Sequence, residues 1–138
     1  MTVATFSSNI DKVTNLRKEF EHDDMLYIEC VNALNLDEIY KFYLRTRKLF
    51  GNPSILINNA AISGPFLPVS EISKDEIINT IQINLISHIY LTSLVIKDMK
   101  DDSIIINLWS IGSLLYICTN EQFNQYESLS YIYCAIYL

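Results

Sequence analysis

The stretch Ser54-Ile-Leu-Ile-Asn-Asn-Ala-Ala-Ile-Ser-Gly64 decides the fold of this chain of 138 residues. Its apolar run, Ile55 to Ile57, is rich in β-branched residues, is too short for a helix and shows no polar alternation. Such a run predicts a buried parallel strand that is covered on both faces. Asn58 and Asn59 follow at the carboxyl end of the strand, where open α/β sheets bind their ligands. The stretch therefore predicts a strand that runs into a ligand-facing turn.

Strand-like and helix-like segments alternate on both sides of this stretch. We predict strands at residues 2–6, 25–30, 54–58 and 103–108. We predict helices at residues 11–22, 35–50 and 75–99. A capping box, Ser73 to Glu76, marks the start of the last and longest helix. The alternation predicts an α/β fold with a doubly wound parallel sheet, in a single domain over residues 1–138.

Composition and charge exclude several classes of function. The net charge of −6 argues against a nucleic-acid partner, because phosphate binding needs clustered Lys and Arg side chains. The basic residues between Lys41 and Lys48 are interpreted as the solvated face of a helix. The three cysteines lack metal-ligand spacing, which predicts no metal site and reduced thiols in a cytoplasmic protein. No apolar tract reaches the ~20 residues that a membrane span requires, so no membrane association is expected.

Three motifs follow one another along the chain. Asn58-Asn59-Ala60-Ala61 closes the central strand, Gln82-Ile-Asn84-Leu lies in the next helix, and Ile104-Ile-Ile-Asn107-Leu-Trp-Ser110 covers the next strand. In this order they resemble the short-chain dehydrogenase/reductase family, the nicotinamide-dependent Rossmann enzymes with a Ser/Tyr/Lys catalytic set. The helix motif and Tyr133-Cys134-Ala135 are also similar to its sepiapterin reductase branch. The resemblance implies NADP-dependent reduction of a small carbonyl substrate.

The resemblance covers only the middle of a full-length family member. The family's first strand ends in a glycine-rich turn that seats the cofactor's pyrophosphate on a helix N-terminus. The three glycines, Gly51, Gly64 and Gly112, lie far apart, so this chain contains no such turn. We expect an incomplete sheet that lacks the first strand and the C-terminal strands. The missing first strand would leave a gap between the strands at 2–6 and 54–58, unless those two strands pair directly.

The resemblance also assigns catalytic roles. Ser110 would hydrogen-bond the substrate carbonyl, and Asn84 would support a proton relay from within its helix. The family's tyrosine precedes its lysine by four residues, and no tyrosine of this chain has that lysine. Tyr133 matches the surrounding motif, whereas the interval from Ser110 favours Tyr126. A capping role for Ser110 and a packing role for either tyrosine are the structural alternatives.

Cofactor contacts are assigned in the same way. Ser8 and Asn9 lie where the family distinguishes between its cofactors, and Asn32 lies where the family has an acidic residue near the adenine. Asn59 and Ala60 belong to the ligand-facing turn. Because the glycine-rich turn and the lysine are missing, we expect weak or absent NADP binding and negligible turnover.

Two other functions remain open at this stage. The chain could be a truncated, non-catalytic product that pairs with a full-length relative through helix 75–99. That helix is apolar on several faces, which predicts a homo- or hetero-oligomer. An unrelated flavodoxin-like domain is the third reading, although the acidic cluster of a receiver-type site is not found.

Overall fold

The computed structural model describes residues 2–6, 9–23, 26–63 and 69–108. The four parallel strands are β1 (Thr2–Phe6), β2 (Leu26–Cys30), β3 (Ile55–Asn58) and β4 (Ile104–Asn107). The four α-helices are α1 (Ile10–Glu19), α2 (Leu36–Phe50), α3 (Lys74–Ile81) and α4 (Ser87–Val95). A π-helical turn, Gln82–Ile86, joins α3 to α4, and a short 3-10 turn spans Val69–Glu71. The predicted alternation of strands and helices is confirmed.

The strands form two parallel pairs and not one continuous sheet. β1 pairs with β2, with Thr2 opposite Leu26, and β3 pairs with β4, with Ile55 opposite Ile104. Within the described ranges β1 and β3 do not pair with each other. This is the position that the sequence predicts for the missing first strand. The fold is therefore an incomplete Rossmann-like sheet, interrupted at its centre.

Short polar residues define the helix ends. The Asn9 side chain caps α1, and the Asn35 side chain accepts from two backbone N–H groups in the first turn of α2. At α3 the Glu76 N–H donates to Ser73 Oγ at 3.2 Å, and Glu76 Oε2 accepts from the Ser73 N–H at 2.9 Å. The predicted capping box is thus confirmed. α2 ends at Gly51, whose φ of 82° lies in the region that favours glycine.

The central core lies between α2 and α4. It contains the buried residues Val31, Ile39 and Phe42, with Leu36, Tyr90 and Leu91 packed against them. A polar contact closes the end of this interface, because Asp98 accepts hydrogen bonds from Tyr43 and, at 2.9 Å, from Arg47 of α2. The Asp98 N–H bonds to the Val95 carbonyl at 3.0 Å in a turn. The helix therefore ends at Val95, four residues before the predicted Met99.

Among the described residues, helices cover only one face of the β3–β4 pair. α4 packs against β3, and Asn58 at the end of β3 is 3% exposed. On the opposite face Ile55 and Ile57 are 56% and 55% exposed. Their partners Ile104 and Ile106 are 53% and 38% exposed. The expectation that β3 is covered on both faces is wrong for this part of the chain, because no described helix packs on the isoleucine face.

None of the helices in the described ranges is both long enough and apolar enough to cross a membrane.

Candidate functional site

Three side-chain contacts hold residues 58–62, the last residue of β3 and the loop after it, against the helix that follows. Each contact joins one residue of the segment to one residue of the helix. The pairs are Asn58 with Thr92, Ala60 with His88, and Ile62 with Asn84. We call these contacts the loop ladder.

The spacing of the loop ladder follows from helix and strand geometry. Its segment residues are two apart and its helix residues are four apart. Two residues of extended chain span about 6.6 Å, and four residues of helix rise about 6 Å. These two lengths nearly match. Every second residue of an extended segment that runs antiparallel to the helix therefore lies beside every fourth residue on one face of the helix. The segment is therefore fixed along its length.

Asn84 makes the contact at the far end of the loop ladder, at Ile62. Its Oδ1 accepts from the Ile62 N–H at 2.8 Å, and its Nδ2 donates to the Ile62 carbonyl at 2.9 Å. The carboxamide thus satisfies both backbone groups of one residue, as a neighbouring strand would. Asn84 lies in the π-turn, where the Ser87 N–H bonds to the Gln82 carbonyl five residues earlier. This specific partner accounts for an asparagine in the middle of a helix.

His88 forms the middle contact. Its Nε2 lies 2.8 Å from the Ala60 carbonyl oxygen, and since a carbonyl only accepts, the imidazole donates from Nε2. Burial lowers the pKa of His88, and the bond to Ala60 acts in the opposite direction. Within the described residues no charged side chain contributes to this shift. The neutral imidazole is therefore favoured.

Asn58 joins the loop ladder to β4. Its Nδ2 donates to Thr92 Oγ1 at 3.0 Å and to Asn107 Oδ1 at 2.8 Å. The Asn58 Oδ1 is buried and has no hydrogen-bond partner among the described residues. If the Asn58 amide is turned over, Thr92 Oγ1 can donate to its oxygen, and Asn107 can donate to it only if the Asn107 amide is turned over as well, so that the Asn58 nitrogen is left unpaired. One polar atom at the carboxyl end of β3 is thus unsatisfied in either orientation.

The cofactor residues predicted from the sequence lie at the carboxyl ends of the strands. Asn9 follows β1, and its Oδ1 accepts from the Lys12 N–H at 3.0 Å. Asn32 follows β2, and its Oδ1 accepts from the Leu34 N–H at 3.0 Å. Asn59 is exposed after β3, beside the half-buried Ala60. Among the described residues, hydrogen bonds link Ala60 to the helix that carries Asn84, whereas Asn9 and Asn32 bond within their own turns.

The remaining predicted site residues lie outside the described ranges: Ser8, Ser110, Tyr126 and Tyr133. Sequence reasoning gives no role to His88, whose ring bonds to the Ala60 carbonyl, or to Thr92, whose hydroxyl bonds to Asn58. The available signal is the four-residue spacing of Asn84, His88 and Thr92, which places three polar side chains on one face of the helix.

Comparison with known proteins gives matches along most of the chain. The sequence model of the family described as short chain dehydrogenase matches residues 1–126. A curated relative, 3beta-hydroxysteroid dehydrogenase 2 of Eggerthella lenta, is 28% identical over 110 residues. This alignment covers 77% of the chain and 42% of the relative. The chain thus spans less than half the length of that relative.

Solved structures of similar fold span the same region. A blue fluorescent protein from a metagenomic library, in complex with NADPH, has a TM-score of 0.75 at 20% identity, covering 96% of this chain and 51% of that one. A double mutant of a Serratia marcescens short-chain dehydrogenase/reductase has a TM-score of 0.74 at 16% identity, covering 96% and 50%. A Burkholderia cenocepacia short chain dehydrogenase in complex with NADP has a TM-score of 0.74 at 16% identity, covering 83% and 46%. These likenesses show the Rossmann-like fold.

Proposed function

This chain belongs to the short-chain dehydrogenase family, and from that premise we propose that it contributes to NADP-dependent reduction of a small carbonyl substrate. The sepiapterin reductase branch is the subgroup that its helix motif favours. The chain spans about half of each solved neighbour, so this activity is proposed for the protein as a whole. Nothing in the comparisons favours the alternative of a non-catalytic interaction module.

The loop ladder is the observation that carries the proposal. It fixes residues 58–62 at the carboxyl end of β3, where sheets of this type bind their ligands. A nicotinamide site needs a rigid backbone edge at this position, because orientation of the reacting groups supplies much of the rate. Three side-chain contacts along five residues provide that rigidity. Asn59 and Ala60 are the ligand-facing residues of the segment in this proposal.

This chain offers polar side chains for the nucleoside ends of a dinucleotide, but it has no glycine-rich turn for the central pyrophosphate. Asn9 and Asn32 use their side-chain oxygens locally, so their amide N–H groups can serve as donors to phosphate or ring acceptors. Ser8 would add a hydroxyl beside Asn9. The pyrophosphate, however, has no glycine-rich turn among the 138 residues. We therefore expect NADP binding by this chain to be weak.

A bound nicotinamide would supply the hydride for carbonyl reduction. The chain's own contribution begins at Ser110, whose hydroxyl would donate to the substrate carbonyl oxygen as negative charge develops there. Tyr133, or Tyr126 in its place, would donate the proton. Asn84 would support the proton relay by holding the loop backbone in place. Without a lysine four residues after either tyrosine, the phenol pKa is not lowered in the family's manner and turnover is expected to be negligible.

Titration of the full chain with NADPH and with NADH, followed by nicotinamide fluorescence, tests the proposal. We expect weak saturable binding of NADPH and weaker binding of NADH. Replacement of Asn32 by Ala should weaken binding, whereas Asn35→Ala, which removes a helix cap on the neighbouring turn, controls for local stability. Failure of both cofactors to bind at millimolar concentration would contradict the proposal.

Exposed isoleucines support a further proposal, that the chain forms an oligomer through helix 75–99. Ile78, Ile86, Ile89 and Ile96 are 50%, 39%, 44% and 56% exposed. Ile89 and Ile96 are seven residues apart, close to two helical turns, so they lie on one side of α4 and its C-cap residue. We call this surface the isoleucine stripe. Its partner is proposed to be a second copy of the chain or a full-length relative.

A further inference from the structure

We propose that His88 is a positioning residue for the cofactor, acting through the peptide groups of Ala61. The inference rests on the proposed function, because the ligand it invokes is NADP. His88 lies on the helix, and in the described part of the chain its ring forms a hydrogen bond to the loop backbone at Ala60.

Peptide planarity gives the first step. The carbonyl of Ala60 and the N–H of Ala61 belong to one trans peptide unit, in which they point in opposite directions. His88 Nε2 holds the Ala60 carbonyl toward the helix at 2.8 Å. The Ala61 N–H must therefore point away from the helix. Loss of the imidazole would free this peptide unit to rotate.

The next peptide unit is fixed in the same sense. The Ile62 N–H points to Asn84 Oδ1 at 2.8 Å, so the Ala61 carbonyl, at the other end of that unit, points away from the helix. Ala61 thus presents a donor and an acceptor on the same side. Ala61 is exposed, and its N–H has no partner among the described residues.

A hydroxyl group is one ligand chemistry that matches this pair, since it both donates and accepts, as the Asn84 carboxamide does at Ile62. In the proposed function the hydroxyls offered to the site are those of the NADP ribose. His88 controls one half of the pair, the Ala61 N–H, and Asn84 controls the other.

The test compares His88→Leu with His88→Gln in the full chain. Glutamine retains an N–H donor at about the reach of Nε2, and leucine removes the donor. We expect His88→Leu to raise the NADPH dissociation constant about two- to tenfold, the change that corresponds to one ordinary hydrogen bond, and His88→Gln to restore it. His22→Leu, at an exposed site, is the matched control and should bind as the unaltered chain does.

Hydrogen exchange at the Ile62 amide separates the two proposals. The positioning role is supported if the Ile62 amide exchanges faster in His88→Leu and at the original rate in His88→Gln. This holds even if NADPH binds no form of the chain, in which case only the proposed function fails. Unchanged exchange and an unchanged NADPH dissociation constant in His88→Leu would overturn the inference. Where the unaltered chain binds NADPH, a reduced melting temperature with unchanged NADPH affinity in His88→Leu would also overturn it, since that result describes a purely structural residue.

Discussion

His88 Nε2 lies 2.8 Å from the carbonyl oxygen of Ala60, 28 residues earlier in the chain. The contact lies midway between the Asn58–Thr92 and Ile62–Asn84 contacts, and it is the only one of the three that contains a titratable group. The loop after β3 is therefore held by two contacts that do not respond to pH near neutrality and by one that does. This arrangement allows each contact to be tested separately.

Replacement of Asn84 by Ala should destabilise the chain by about 1–3 kcal/mol, because both backbone groups of the half-buried Ile62 lose their partner. Asn79→Ala is the control, since Asn79 is an exposed asparagine five residues earlier in the same helical segment. Urea unfolding followed by circular dichroism measures the difference. Equal midpoints for the two variants would show that the Asn84 contact contributes no net stability.

The stability of the chain should fall as the pH is lowered from about 6.5, the ordinary histidine value. Burial lowers the pKa of His88, so the unfolded chain binds the proton more readily than the folded chain. The loss should continue until the pH passes the lowered pKa of the folded state, and above pH 7 it should be absent. Subtracting the pH profile of His88→Gln from that of the unaltered chain isolates this contribution, since His22 and the carboxylates are common to both. Superimposable profiles between pH 7 and 5 would contradict the assignment.

Tyr137→Lys should increase NADPH-dependent carbonyl reduction about tenfold or more, because it places a lysine four residues after Tyr133. Ser130→Lys makes the equivalent change for Tyr126 and serves as the comparison. The rate is measured from NADPH absorbance with a small aldehyde as substrate. A larger gain from Ser130→Lys would transfer the proton-donor role to Tyr126, and a gain that survives Tyr133→Phe would exclude Tyr133.

Ile89→Glu should prevent self-association if the isoleucine stripe is an oligomer interface, since burial of an unpaired carboxylate is unfavourable. Asn79→Glu adds the same charge at an exposed position on the same helical segment and should leave association unchanged. Sedimentation velocity measures the oligomeric state. If the unaltered chain is monomeric at all concentrations, the isoleucine stripe is not a self-association surface.

The sequence was sufficient to predict the elements whose signals are local. Ser73 and Glu76 predicted the start of α3, and the run Ile55 to Ile57 predicted β3, because capping and chain periodicity depend only on neighbouring residues. The isoleucine face of β3 was predicted wrongly. A β-branched run has the same appearance whether one or both faces are covered, and coverage depends on elements distant in the chain.

The candidate site also contains residues that the sequence could identify and residues that it could not. Asn84 could be singled out because an asparagine inside a helix needs a partner, although the partner, Ile62, could not be inferred from the helix alone. His88 was missed because its partner is a backbone carbonyl, which every residue carries and no sequence pattern marks. Only the match between two-residue steps in the loop and four-residue steps in the helix identifies it.

NADPH titration of the full chain, followed at each backbone amide by NMR, would show whether the loop after β3 faces the cofactor. We expect NADPH to shift the amide resonances of Asn59 to Ile62, with the change at Ala61 reduced in His88→Leu and retained in His88→Gln. NADH should produce smaller shifts at the same amides. Absence of any shift in this segment at millimolar NADPH, or shifts confined to other parts of the chain, would contradict the claim that the loop after β3 faces the cofactor.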